Sequence, residues 1–367
     1  MKETVIQFGE GNFLRGFVDY FLHKINEKGL YDGKAVIVQP IETGLYELIN
    51  KQNGKYNLFL RGIENGKEIC EHTEIQSISR AINPYADFDA YLALAHNPDF
   101  RFIISNTTEA GIEYVADNKF EDKPAKSFPA KLTQLLHERY KTGLNGFVIL
   151  ACELIDNNGK ELQKCVLKYA QQWELGEDFC NWITKENKFC NTLVDRIVTG
   201  YPKDEADQLC PDDALLDTAE IFHLWVIEGN FESELPLQKA GFNVVWTDDV
   251  SPYKKRKVRV LNGAHTSMVF PAMLCGIETV GECLNDKLIN KFLQENLFKY
   301  IIPVLGENND NIAFANAVLE RFANPYIKHL LKSISLNSIS KFAVRVLPTI
   351  LDYKNKHGSY PKTLVFS

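Results

Sequence analysis

The first forty residues constrain the fold more than any other part of the chain. Thr4-Val5-Ile6-Gln7-Phe8 is short, apolar and rich in β-branched residues, and it breaks into Gly9-Glu10-Gly11-Asn12. A helical pattern follows through Phe17, Tyr20, Phe21 and Ile25, and a second strand, Ala35 to Gln39, comes after Gly33. Strand, tight turn, helix, strand at this spacing is the βαβ unit of a nucleotide-binding domain.

Further strands are expected at Phe100 to Ser105, Gly146 to Cys152 and Asn243 to Trp246, with helices such as Ala130 to Tyr140 between them. Tyr56 to Ile63 and Glu68 to Ile78 alternate across Glu64-Asn65-Gly66-Lys67 and are expected to form an inserted strand pair. Past about residue 255 the period becomes helical in Val258–Cys275, Asp286–Ile302, Asn311–Arg321, Ile327–Ile334 and Ile339–Tyr353. At 367 residues two domains are expected, an α/β domain over 1–250 and an all-α one over 251–367. The chain stops on Leu364-Val365-Phe366-Ser367 without a polar tail, so truncation of a longer protein is also expected.

Gly9 and Gly11 allow a tight turn and let backbone N–H groups approach a pyrophosphate at a helix N-terminus. Leu14 stands where a third glycine is usual, and Gly16 lies two residues on. The same glycines would equally serve a plain strand-to-helix turn. Gln39-Pro40 replaces the acidic residue expected at the end of the second strand, which leaves NAD against NADP open on this ground. Ser105-Asn106-Thr107-Thr108-Glu109 offers an amide and hydroxyls to a ribose or carboxamide, or caps a helix in the ordinary way. The candidate cofactor positions are Phe8, Gly9, Gly11, Asn12, Phe13, Gln39, Asn106, Thr107 and Thr108.

Lys257, Asn262 and His265 lie at i, i+5 and i+8 within Lys257–Thr266. On an ideal α-helix they span an arc of about 140° with His265 between the other two, so all three can border one site. Such a set suits carbonyl reduction. Hydride arriving at a ketone carbon leaves negative charge on oxygen, which needs a proton donor and fixed dipoles. Lys257 would be the donor, Asn262 the oxyanion partner and His265 an orienting group, with burial and the cations Lys254, Lys255, Arg256 and Arg259 lowering the lysine's pKa. Lys/Arg alternation at a solvated helix start and a structural histidine would account for the same residues.

Composition removes several classes. A net charge of −7 opposes nucleic-acid binding. Eight cysteines without a Cys-x-x-Cys pair disfavour a zinc site or a disulfide framework and point to a reducing, cytoplasmic compartment. No apolar run reaches membrane-spanning length. The sequence does not set the oligomeric state, and a monomer is compatible with it.

Gly241–Thr266 (GFNVVWTDDVSPYKKRKVRVLNGAHT), with Val5–Gly16, Ser105–Ile112, Ala151–Gly159, Val194–Pro202, Phe222–Gly229 and stretches within Arg321–Pro348, resembles the polyol-specific long-chain dehydrogenases. That family includes mannitol 2-dehydrogenase and the hexuronate reductases. The resemblance implies a Rossmann-type N-terminal domain, a helical C-terminal domain, a zinc-free active site in the cleft between them, NAD as cofactor and a small sugar or sugar acid as substrate. Its Lys-x4-Asn-x2-His pattern falls on Lys257, Asn262 and His265, and it places Asp195, Lys341 and Glu153 near the substrate. Where mannitol enzymes have Cys-Asp-Asn this chain has Cys152-Glu153-Leu154, so the second oxyanion amide is missing or supplied elsewhere. Their substrate arginine falls on Ser333, and the acid three residues before their lysine falls on Lys254. These changes point towards a hexuronate, with Lys254 at its carboxylate. Fructuronate reduction, mannitol oxidation and a non-catalytic dinucleotide-binding protein are the competing expectations.

Overall fold

The computed structural model describes residues 1–108 and 110–367; Glu109, at the end of the Ser105 segment, lies outside the described residues. The chain divides into two units, Met1–Phe59 with His72–Ala219 and His223–Val250, and Leu60–Glu71 with Glu220–Phe222 and Ser251–Ser367. Its strands are β1 Lys2–Phe8, β2 Gly33–Val38, β3 Tyr56–Glu64, β4 Lys67–Ile75, β5 Ile78–Ile82, β6 Phe102–Ser105, β7 Val148–Ala151, β8 Lys188–Cys190, β9 Thr192–Asp195, β10 Asp217–Glu220, β11 Leu224–Glu228 and β12 Val244–Thr247.

In the first unit six parallel strands pair in the order β5-β2-β1-β6-β7-β8. Counted along the sheet's own strands this is 3-2-1-4-5-6, the order of a doubly wound dinucleotide-binding sheet. Strands covered on both faces read as near-continuous apolar runs, and β2, β6 and β7 carry AVIV, FII and VILA, with Ser105 as the buried polar end of β6. The helix Phe128–Thr142 closes one face through Phe128, Leu132, Leu135 and Leu136. Ser127 caps its start and Gly143, at φ 71°, ends it. A smaller sheet, β12-β11-β9, joins the same unit.

The expected strand pair is present as β3 and β4, joined by Asn65-Gly66 with φ of 51° and 73°, the left-handed pair a tight hairpin turn requires. It belongs to the three-stranded sheet β10-β3-β4. One element differs from expectation. The alternation extends the second hairpin strand to Ile78, but the chain breaks at Gln76-Ser77 and Ile78–Ile82 forms an edge strand parallel to β2. The Ser77 hydroxyl donates to the Asp19 carbonyl at 2.6 Å and its own carbonyl accepts from the Ala35 N–H at 2.9 Å, which fixes the break.

The second unit is helical apart from the hairpin tip. Its first helix runs Ser251–Lys257, widens to a π turn over Val258–Asn262 and continues as Gly263–Leu274. A second π segment spans Asn296–Ile301. The helix Asn309–Phe322 stops before Asn324-Pro325, since proline disfavours helical backbone in the residue preceding it. Helix was expected from Ile327, but it starts at Leu331, because Leu330 pairs with Thr279 and the His329 carbonyl accepts from the Val280 N–H at 3.0 Å. Arg321 and Glu220, 4% and 2% exposed, form a bidentate pair at 2.8 and 2.9 Å. Among the described residues no helix is long and apolar enough to cross a membrane, and no three His, Cys, Asp or Glu are placed to hold a metal ion.

Beneath the first turn lies a buried polar network. The Gln7 amide donates to Asp19 at 3.2 Å, and burial pushes the Asp19 and Asp217 carboxyls up to about 7. The folded state therefore keeps protons that the unfolded chain loses near its ordinary pKa of 3.8, so the contribution of these groups falls as pH rises towards about 7 and then levels. Melting temperature is expected to drop between pH 5 and pH 8, and Asp19→Asn is expected to flatten that slope. Calorimetry across the range, with an unchanged slope in the variant, would count against the assignment.

Candidate active site

In a doubly wound sheet ligands bind at the carboxyl ends of the strands where the winding reverses, here between β1 and β6. Phe8 itself is buried against Tyr91 and Phe128, so only its backbone reaches this edge. Gly9 has φ 124°, and a Cβ there would lie 2.9 Å from the Asn106 carbonyl oxygen and 3.1 Å from the Leu14 side chain. Glycine is required on both counts. A Cβ on Gly11 would meet nothing within 4 Å, and the helix starting at Asn12 has no side-chain cap. Its first N–H groups are thus not taken up by a capping side chain, which fits a pyrophosphate. The Asn12 side chain accepts from Arg15 at 2.5 Å, and Phe13 stacks on Phe17 at 5.1 Å. Gly16 takes the packing role of the missing third glycine, since a Cβ there would lie 3.0 Å from Val198.

Gly9→Ala is expected to lose about 1–3 kcal/mol of stability from backbone strain alone and to weaken dinucleotide binding at least tenfold. Thermal unfolding and fluorescence titration with NADH check both.

Two of the candidate side chains are held by the protein's own loops. Gln39 is fully buried, donating to the Ile41 and Glu42 carbonyls and accepting from the Tyr46 N–H, so it shapes the 41–46 loop. Glu153 is 2% exposed and its carboxylate accepts from the Ser105 hydroxyl at 3.1 Å and from the Thr107 N–H and hydroxyl at 3.1 and 3.0 Å. Burial raises its pKa against those bonds, and it braces the loop after β6. Within that loop Asn106 donates to the Cys152 carbonyl at 2.6 Å, and Thr108 has φ 82°, rare for a β-branched residue. Leu154 is 62% exposed. Asp195 ends β9, buried and opposite Leu224.

Glu10 was not singled out by sequence reasoning. It sits in the glycine turn, where a Cβ on Gly44 would lie 2.0 Å from its carboxyl and 2.4 Å from the Gln39 amide, and burial pushes it up to about 7. Its signal in the sequence is an acid between Gly9 and Gly11, not at the end of β2.

In the second unit Lys257, Asn262 and His265 share one continuous helix, but the π turn alters their geometry. Its bonds close at i→i+5, so each residue turns through a smaller angle than in an α-helix. The separation of Lys257 and Asn262 shrinks below the about 140° of the ideal helix, and His265 rotates towards the face of Lys257. Asn262 makes no side-chain hydrogen bond among the described residues, which leaves its amide for a ligand oxygen. Lys254, one turn before Lys257, is partly buried and its pKa is lowered for that reason.

His265 stacks on Phe322 at 4.1 Å and meets His329 edge-on at 5.1 Å. Its Nε2 is enclosed without a hydrogen-bond partner among the described residues. Burial, then the neighbouring His329, Arg321, Arg345 and Lys341, holds its pKa well below the ordinary histidine value. The ring is therefore held neutral. Lys341 reaches this neighbourhood from the helix Ser338–Arg345 and donates to the Ile334 carbonyl at 2.8 Å. His329 and Arg345 lie inside stretches that carried the family resemblance, although their charge environment could not be read there.

Residues 3–239 match the mannitol dehydrogenase Rossmann domain and residues 249–367 the mannitol dehydrogenase C-terminal domain. The chain is 50% identical to the altronate oxidoreductase of Pectobacterium atrosepticum over 100% of its own length and 77% of that protein's. A D-sorbitol dehydrogenase in substrate-free form superposes with a TM-score of 0.86 at 25% identity, covering 95% of this chain and 76% of the other. Pseudomonas fluorescens mannitol 2-dehydrogenase, solved with NAD and D-mannitol, superposes at 0.77 with 22% identity, covering 99% and 77%.

Proposed function

The chain belongs to the mannitol dehydrogenase family, and we propose that within it the protein catalyses the NAD-dependent, reversible reduction of D-tagaturonate to D-altronate in hexuronate breakdown. It is an oxidoreductase acting on a CH–OH group. The altronate oxidoreductase relative supports the sugar-acid substrate. The structural observation that carries it is the setting of His265, stacked on Phe322 and edge-on to His329, with Lys341 and Arg345 on the helix Ser338–Arg345 and Arg345 reaching the Thr266 hydroxyl.

NADH supplies the hydride when bound, and the turn at Gly9 and Gly11 fits its pyrophosphate. As the C–H bond forms, the carbonyl π pair moves onto oxygen. The Lys257 ammonium donates a proton to that oxygen, and in the oxidation direction the neutral amine takes it back. Asn262 donates an amide N–H to the same oxygen, substituting fixed dipole for water. Neutral His265 orients the reacting or an adjacent oxygen. Lys254 and Lys341 add positive charge for the substrate, and Asp195 accepts from a sugar hydroxyl.

Incubation with tagaturonate and either NADH or NADPH tests the proposal. NADH oxidation with chromatographic appearance of altronate is expected. NADPH preferred over NADH, or no altronate, would refute the corresponding part.

A further inference from the structure

The second unit holds five arginines: Arg61 lies over the Tyr326 ring at 5.1 Å, and the others are Arg256, Arg259, Arg321 and Arg345. Arg321 is paired with Glu220, and Arg259 donates to Thr349 at 2.7 Å and to Asp352 at 3.1 Å. Arg256 lies 4.9 Å from the Phe314 ring and feels Asp310. Arg345 differs. It is half-buried, burial alone shifts its pKa, and its one side-chain bond is a long one of 3.5 Å to the Thr266 hydroxyl. No acidic partner stands beside it among the described residues.

A guanidinium withdrawn from water without a carboxylate is costly unless a ligand supplies one, and its planar fork matches a carboxylate with two parallel bonds. Its position is set by backbone packing. The Arg345 carbonyl oxygen lies 3.2 Å from where a Cβ on Gly263 would be, so the helix Ser338–Arg345 approaches the start of Gly263–Leu274, next to His265 and Thr266. Lys341 stands one turn earlier on the same helix, and both cations act on His265.

We propose that Arg345 is the anchor for the substrate's carboxylate, making it the residue that selects a sugar acid over a neutral ketose. The inference rests on the sugar-acid reading above and assigns its charged end to Arg345, with Lys341 beside it, in place of Lys254. The Arg345 fork donates two N–H groups to the two carboxylate oxygens, no bond being made or broken.

The test compares wild type, Arg345→Gln and Arg345→Lys. kcat and KM are measured with tagaturonate and with the neutral ketose D-tagatose, and altronate affinity by calorimetry with NAD present. For Arg345→Gln, KM for tagaturonate and Kd for altronate are expected to rise about 10- to 100-fold, the range for one charge-assisted contact, with the smaller change in kcat. Arg345→Lys, which keeps charge but not the fork, is expected to recover part of the loss. Should wild type reduce tagaturonate while Arg345→Gln leaves KM and Kd unchanged, the anchor is refuted and the function stands. An equal fall of kcat/KM for both substrates with a lowered melting temperature would make Arg345 structural and refute the anchor. Wild type inactive on ketouronates but active on tagatose would overturn the function and the anchor together. If Arg345→Gln does not fold, unaltered KM and Kd in Arg345→Lys overturn the anchor.

Discussion

Lys257→Ala is expected to lower kcat for ketone reduction by about 10²- to 10⁴-fold, the usual range for removal of a positioned general acid, with dinucleotide affinity retained. Hydride transfer without a proton donor leaves an alkoxide that water must protonate. The turn expected to hold the pyrophosphate is built from Gly9, Gly11 and Asn12 of the first unit, and Lys257 has no part in its backbone geometry. Lys257 is partly exposed at the end of a helix without buried residues, so truncation opens no core cavity and melting should change little. Stopped-flow turnover with fluorescence titration of NADH checks the pair of outcomes. Undiminished kcat would remove Lys257 from the chemistry, and lost NADH binding would make its role structural.

Asn262→Ala is expected to cost about 10²- to 10³-fold in kcat, as loss of one oxyanion donor does. Its amide makes no other side-chain hydrogen bond among the described residues, so the loss has no competing structural explanation. Because the donor acts where charge develops, KM should move far less than kcat. Asn262→Asp should be at least as damaging, since a carboxylate would oppose the developing charge. Steady-state kinetics of both variants decide; a change confined to KM would place Asn262 in ground-state binding instead.

What the sequence made legible was local. Gly9 and Gly11 follow a β-branched strand directly, and their need for small side chains is a property of that turn. The hairpin at Asn65-Gly66 is equally local. Ile78–Ile82 was not legible as a separate strand, because apolar alternation runs through the break that Ser77 makes by bonding to Asp19. The π turn between Lys257 and Asn262 leaves no mark on residue spacing, so the ideal-helix arc overstated their separation. Gln39 and Glu153 carried the right chemistry for ligands, but their hydrogen bonds go to the protein's own loops. Arg345 was hidden for the opposite reason. An arginine without an acid is recognised only once Arg259 and Arg321 are seen paired with Asp352 and Glu220.

Substrate preference bears most directly on the central claim. NADH oxidation by the wild-type protein should be measured with tagaturonate, fructuronate, D-fructose and D-tagatose under one set of conditions. The account predicts the highest kcat/KM for tagaturonate, with both neutral ketoses far behind. A neutral ketose turned over faster than either ketouronate would contradict it.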